Sequence, residues 1–163
     1  MKDNSEQPSP IVRRWPAPPP MQTGAPCPEL YFDGRDLYCT YYVYTDTRPP
    51  FGNVAVLRLD KVLHFCIGHP NDEALQGHAL YKQGLGYYGF FVVEHSPLIQ
   101  EIETRNRVHR SHQPGMYSRF RHWIATFHDE TLEVASLEAS FLDVSDLDPL
   151  NAIRSFAEKR KQS

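Results

Sequence analysis

Residues 68–78 read Gly-His-Pro-Asn-Asp-Glu-Ala-Leu-Gln-Gly-His, which sets His69, Asp72, Glu73 and His78 within ten positions. Two imidazoles and two carboxylates are the donor types that hold a divalent metal, and loop histidines beside carboxylates also suit proton transfer near neutral pH. The sequence therefore offers His69 and His78 as metal ligands. It offers His78, His128 and Asp129 as an acid–base set, the last two from a second polar segment, His-Asp-Glu-Thr at 128–131. Spacing weighs against the metal. If Asn71 caps a short helix, Glu73 and His78 stand five residues apart, roughly 140° around its axis, and no His-Glu-x-x-His occurs. A divalent metal is thus a cofactor that the residue types allow and the spacing does not favour.

The same residues fit a capped helix with less effort. Pro70 ends a strand, Asn71 is a preferred cap, Asp72 and Glu73 suit the positive first turn, and Gly84 stops the helix. In that reading Asn71, Asp72, Glu73 and Tyr87 form a ligand- or partner-binding surface. It is flanked by Arg107, Arg110 and Arg119 from a stretch, 105–122, that holds five arginines, three histidines and no acid. Seven acids and no base follow over 129–148. The expectation is that the two blocks pair within the fold or are solvated, with phosphate or acidic-partner binding as the alternative.

His64 and Cys66, two apart on a strand, raise a thiol with a histidine base. Nothing in the sequence marks Cys66 as activated, and free cysteine is commonly a buried residue. No Gly-x-Ser-x-Gly elbow, phosphate loop or dinucleotide fingerprint is present. Gly84-Leu-Gly-Tyr-Tyr-Gly89 precedes a strand, so its glycines fit a turn or bulge.

The elements that must position these groups alternate strands with polar connections. Leu37, Cys39, Tyr41 and Val43 point one way and Tyr38, Thr40, Tyr42 and Tyr44 the other, a strand whose tyrosine face should pack under a second layer. After a turn around 48–53, residues 54–67 read as one long strand bent near Asp60 and Lys61. Residues 89–95 are a third strand. Ser96 and Pro97 then start a helix to about His109, with Leu98, Ile99 and Ile102 inward and Glu101–Arg105 and Glu103–Arg107 pairs outside. Residues 122–137 form a hairpin of ambiguous register: a four-residue loop, 128–131, puts Trp123, Ala125, Phe127, Leu132 and Val134 on one face and is preferred, whereas a two-residue turn places His128 opposite Glu133. Asp148 and Pro149 open a last helix with a basic end.

Residues 70–78 together with Thr126-Phe-His-Asp-Glu-Thr-Leu-Glu133 resemble small bacterial proteins of unassigned function. The resemblance spans 54–137, implies no activity and transfers no functional residue.

Residues 1–30 carry eight of the fourteen prolines and read as a disordered proline-rich arm, with Arg13 ahead of a Pro-x-x-Pro pattern that polyproline grooves bind. One globular domain over 31–147 and a C-terminal helix and tail over 148–163 complete the organisation. The fold class is α+β: a mainly antiparallel sheet of about five strands, one helix across a face and a C-terminal helix. A net charge of −3 argues against general binding to nucleic acid or anionic membranes, and no run reaches the roughly 18 apolar residues of a span. Cys27, Cys39 and Cys66 include no Cys-x-x-Cys pair, which suits reduced thiols and a cytoplasmic location.

The functional expectation is a small binding or interaction protein with a polar His/Asp/Glu loop site, its partner a protein or a small molecule. The alternative is a metal-dependent or histidine-based hydrolase or lyase built on the 69–78 loop and the 128–131 turn. A concave pocket would favour a small ligand or catalysis; a flat apolar and basic surface would favour a protein.

Overall fold

The computed structural model describes residues 8–44 and 53–161, so the turn expected around 48–53 lies, but for Asn53, outside the described residues. Among those residues the chain forms β1 (Ile11–Arg14), β2 (Glu29–Phe32), β3 (Leu37–Tyr42), β4 (Val54–Asp60), β5 (His64–Gly68), β6 (Gly89–Glu94), α1 (Pro97–Asn106), β7 (Arg121–Thr126), β8 (Thr131–Ser136), β9 (Glu138–Ser145) and α2 (Pro149–Lys161). The strands build two antiparallel sheets in the orders β1-β6-β7-β8-β5 and β2-β3-β4-β9.

Two sheets stand where one was expected, because the long strand over 54–67 breaks at its bend and changes sheets. Lys61 adopts a left-handed backbone, φ 50°. Its N–H donates to Asp36 Oδ1 at 3.1 Å, and Val62 N–H donates to the Arg35 carbonyl at 2.8 Å. Asp36 is fully buried, with Arg35 Nε at 3.5 Å and Arg58 Nε at 4.0 Å. Its carboxylate thus ties the corner to the start of β3, and β4 and β5 diverge from there.

The sheets face each other across one core. Leu37, Cys39, Tyr41 and Val43 of the β3 strand join Ala55, Leu57 and Leu59 of β4 and meet Phe90, Ala125, Phe127, Leu132 and Val134 from the other sheet. The expected alternation of β3 holds. Tyr38 and Tyr42 face the opposite side, where α2 covers them: Ile153 and Ala157 pack with Tyr38, and Ala152 with Val54 and Val56. The outer face of the five-stranded sheet is covered by the 68–88 insertion. Leu75, Leu80 and Leu85 bury themselves against Val12, Phe91, Val93 and Ile124. The insertion folds as two short 3-10 turns at 75–77 and 81–83, not as the expected capped helix. Asn71 still accepts the Ala74 N–H at 3.1 Å, and Gly84 ends the second turn with φ 113°, where a side chain would sit 2.9 Å from the Val12 carbonyl.

The proline-rich segment departs from the disordered arm expected of it. From residue 8 onward it supplies β1, pairing Ile11–Arg14 with Glu94–Phe91, an isolated bridge from Met21 to Val43, and β2. Prolines are tolerated there because they lie between the strands, leaving β1 and β2 free to donate their N–H groups. The residues just ahead of the Pro-x-x-Pro pattern are engaged by the fold: Arg13 pairs with Glu94 at 2.6 Å, Arg14 lies 5.0 Å over the Phe91 ring, and Trp15 sits 5.1 Å from Trp123.

Helix α1 begins as expected, with Ser96 accepting the Ile99 N–H at 3.2 Å and Pro97 in the first turn. It buries no residue fully, so Leu98, Ile99 and Ile102 form only a half-buried stripe. Glu101 pairs with Arg105, whereas Glu103 turns away from Arg107 to accept from His112 at 2.6 Å and from the Gly115 N–H at 3.1 Å. The β7–β8 hairpin keeps the expected faces but pairs Thr126 with Thr131 and Ala125 with Leu132, so the loop is 127–130. A two-residue slip preserves which side faces the core, and alternation alone could not distinguish the registers. No described helix is long and apolar enough to cross a membrane.

Candidate functional site

Strand alternation sends every second residue of the five-stranded sheet outward, and among the polar side chains on this face are His122 of β7, Glu133 of β8 and Cys66 of β5. Cys66 lies directly opposite Glu133 in the ladder; Ile124 pairs with Glu133 from the other side, and His122, two residues along β7 from Ile124, is diagonal to it. His122 Nε2 reaches Glu133 Oε2 at 2.8 Å, and His78 Nε2, from the insertion, reaches Glu133 Oε1 at 3.2 Å. One carboxylate therefore joins the insertion to the sheet.

The hydrogen-bond pattern assigns protons. The Leu80 backbone N–H, which can only donate, points at His78 Nδ1 at 3.1 Å, so that nitrogen accepts and His78 turns Nε2 toward Glu133. His122 Nδ1 lies 3.0 Å from Ser96 Oγ. Ser96, His122 and Glu133 thus align as hydroxyl, imidazole and carboxylate. The hydroxyl is not a free nucleophile: Ser96 is buried and its oxygen already accepts the Ile99 N–H as a helix cap. Hydrogen bonds from His122 and His78 hold the Glu133 carboxyl down at about 2, against a burial effect in the opposite direction. Burial and the neighbouring Glu133 charge push the Cys66 thiol up, the wrong direction for an activated nucleophile.

Above this network the insertion and α1 leave a groove of about 420 Å³. His122, Glu133 and Cys66 form its floor; His64, His78, Ala79 and Leu80 stand along one side, and Pro97, Leu98 and Glu101 along the other. A second groove of about 430 Å³ lies on the opposite flank of α1 and includes Arg119 and Arg121.

At the other end of the insertion, Asp72 collects two donors. Tyr88 donates its hydroxyl to Asp72 Oδ2, and His128 Nδ1 reaches the same oxygen at 2.8 Å, with the Tyr88 hydroxyl 3.4 Å from that nitrogen. The Asp72 N–H donates to the His128 carbonyl at 3.0 Å. Tyr88 holds a left-handed backbone, φ 48°, and its ring stacks on His128. Hydrogen bonds to Tyr88 and His128 lower the Asp72 carboxyl; the bond to Asp72 raises His128 and lifts the Tyr88 phenol to about 12.

The structure therefore divides the residues singled out in the sequence. Asp72 and His128 meet, joined by Tyr88, and His78 stands in the groove. Asp129 is exposed and is not His128's hydrogen-bond partner. Glu73 and His69 are exposed, and Asn71 serves as a local cap. Tyr87 packs edge-on to Tyr81 at 6.1 Å. Arg107 and Arg110 lie on the exposed 107–111 stretch, apart from Arg119 in its own groove. Among the described residues no group of three or more histidine, cysteine, aspartate or glutamate side chains could hold a metal ion. Glu133, His122 and Ser96 were not singled out as site residues. Their signal was present: a histidine and a glutamate on the outward face of a hairpin otherwise filled by Ile124 and Thr126. Compared with family models, with curated proteins and with solved structures, the chain matches none.

Proposed function

We propose that this chain is a small-molecule-binding protein whose ligand occupies the groove between the 68–88 insertion and α1. The observation that carries this reading is Glu133: an ionised carboxylate at the floor of a concave site, held between two histidines, with aliphatic walls from Leu80, Pro97 and Leu98. An apolar concavity with a few convergent polar groups is the usual form of a ligand site. Concavity favours a small ligand over a protein partner, which would want a flatter apolar surface.

A fragment screen by amide chemical-shift mapping on the full chain tests it. Saturable shifts confined to residues around Leu80, Leu98 and Glu133 are expected for some fragments. Shifts scattered elsewhere, or none at millimolar concentration, reject the reading.

One observation favours a second reading, proton-transfer catalysis. His128 is bound to Asp72 through Nδ1 and its side chain is 40% exposed, which leaves Nε2 open as a base oriented by a carboxylate. Hydrolysis of activated esters faster than by equimolar imidazole, lost in His128→Ala, is its expected signature. Equal rates for both proteins remove it.

A further inference from the structure

We propose that the groove takes a small primary amine, its ammonium against Glu133 and its apolar body along Leu80, Pro97 and Leu98. This rests on the reading of the groove as the ligand site and names the ligand's chemistry.

Charge decides the class. The groove lining contains two carboxylates, Glu101 and Glu133, three histidines, and no lysine or arginine. Glu101, at the outer end of the α1 wall, already has a cation in Arg105. Among the described residues the ion-pair partners of Glu133 are two histidines, His78 and His122, with no lysine or arginine. His78 Nδ1 accepts the Leu80 N–H, which leaves Nε2 as the atom that faces Glu133. The negative charge on Glu133 is therefore met by imidazoles alone, His78 on Oε1 and His122 on Oε2. A half-buried carboxylate in that position gains from a full positive charge brought by a ligand and repels an anion.

Acceptor capacity points the same way. A carboxylate has about four lone-pair sites. Each Glu133 oxygen accepts from one histidine, so each keeps capacity, and the side chain is 28% exposed. An ammonium brings three donors and no acceptor, which suits a floor whose carboxylate has acceptor capacity to spare. Around it the walls are short and aliphatic, and a volume of about 420 Å³ suits a compact ligand with one apolar arm. If instead the carboxylate served only to fasten the insertion to the sheet, ligand charge would make no difference to occupancy.

The test compares three isosteric probes, benzylamine, benzyl alcohol and benzoate, titrated into the isotopically labelled full chain with amide shifts as the readout. Benzylamine is expected to saturate at groove residues at least tenfold more tightly than benzyl alcohol, with no saturable shift from benzoate. Glu133→Gln should reduce the amine-to-alcohol preference to about one. Should that variant fail to fold, Ala79→Trp decides, since it adds bulk to an exposed wall position without touching the histidine–carboxylate network; it should abolish benzylamine binding. Benzyl alcohol or benzoate binding in the groove as tightly as benzylamine overturns the amine while leaving the groove a ligand site. Undiminished amine affinity in Ala79→Trp places the amine elsewhere and overturns the proposal. Silence from all three probes at groove residues overturns both the amine and the groove.

Discussion

Glu133 does two jobs at once, presenting charge to the groove and anchoring His78 and His122, and the second has a pH signature of its own. Its carboxyl lies at about 2 in the fold against an ordinary 4.5. A carboxyl lowered by folding contributes stability that is fully present above about pH 4.5 and is lost as pH falls toward 2. A shift of that size corresponds to something on the order of 3 kcal/mol. Other carboxylates are lowered too, Asp72 and Asp148 among them, so wild type alone will lose stability in acid for several reasons. The difference between wild type and Glu133→Gln isolates this one. Thermal melts should show the variant several degrees less stable at pH 7, with the gap narrowing as pH drops from 4.5 toward 2. A gap that stays constant across that range would mean the ionised carboxylate adds nothing to the fold. At this scale the sequence was partly legible. Residue types put His78, Asp72 and His128 among the candidates, and the structure gives each a hydrogen-bonded partner. Glu133 and His122 escaped because their meeting depends on the β7–β8 register, and a two-residue slip leaves the faces unchanged while altering every cross-strand neighbour.

Among the elements, β1 is where composition misled. Proline density over 1–30 suggests too little burial to offset chain entropy, yet Trp15 alone brings a large aromatic surface. Its ring packs against Trp123 at 5.1 Å and Phe90 at 6.4 Å, and the Trp15 backbone N–H donates to the Phe90 carbonyl at 2.7 Å. Order in this segment comes from a few tertiary contacts, which local composition does not report. Trp15→Ala is therefore expected to cost about 2–4 kcal/mol, somewhat below the roughly 3–5 of a fully buried aromatic because Trp15 is half-buried. Denaturant unfolding measures it, and an unchanged midpoint would return the segment to the status of a loose arm. The groove shares this dependence, since Val12 of β1 packs with Leu80 and Leu85 beneath the insertion. Loosening β1 should reach the site even though no β1 residue lines it. The bend at Lys61 was legible as a place but not as a consequence: Asp60 and Lys61 marked a break, while only Asp36, far back in the chain, fixes the direction that sends β5 to a second sheet.

For the whole molecule, each sheet buries its inner face in the shared core and needs a cover for its outer one. The insertion covers the five-stranded sheet and in doing so makes the groove; α2 covers the four-stranded sheet. The two covers are unequal in kind. The insertion is fastened by a polar network that a ligand could address, whereas α2 is fastened by Ala152, Ile153 and Ala157 on Tyr38, Val54 and Val56. Removing an apolar cover exposes a β-sheet face rich in β-branched and aromatic residues, the kind of surface that drives self-association. Ala152 is fully buried in that contact and Leu150, two residues earlier, is 48% exposed on the other side of the helix, so the pair makes a controlled test. Ala152→Glu places a carboxylate against Val54 and Val56 with no partner and should cost on the order of 3 kcal/mol or more. Leu150→Glu should change stability by less than about 0.5 kcal/mol. Size-exclusion chromatography beside the melts should show Ala152→Glu alone moving to larger species as its melting point falls. If both variants behave like wild type, α2 is not the cover of the four-stranded sheet, and some other surface must shield Tyr38, Val54 and Val56 from water.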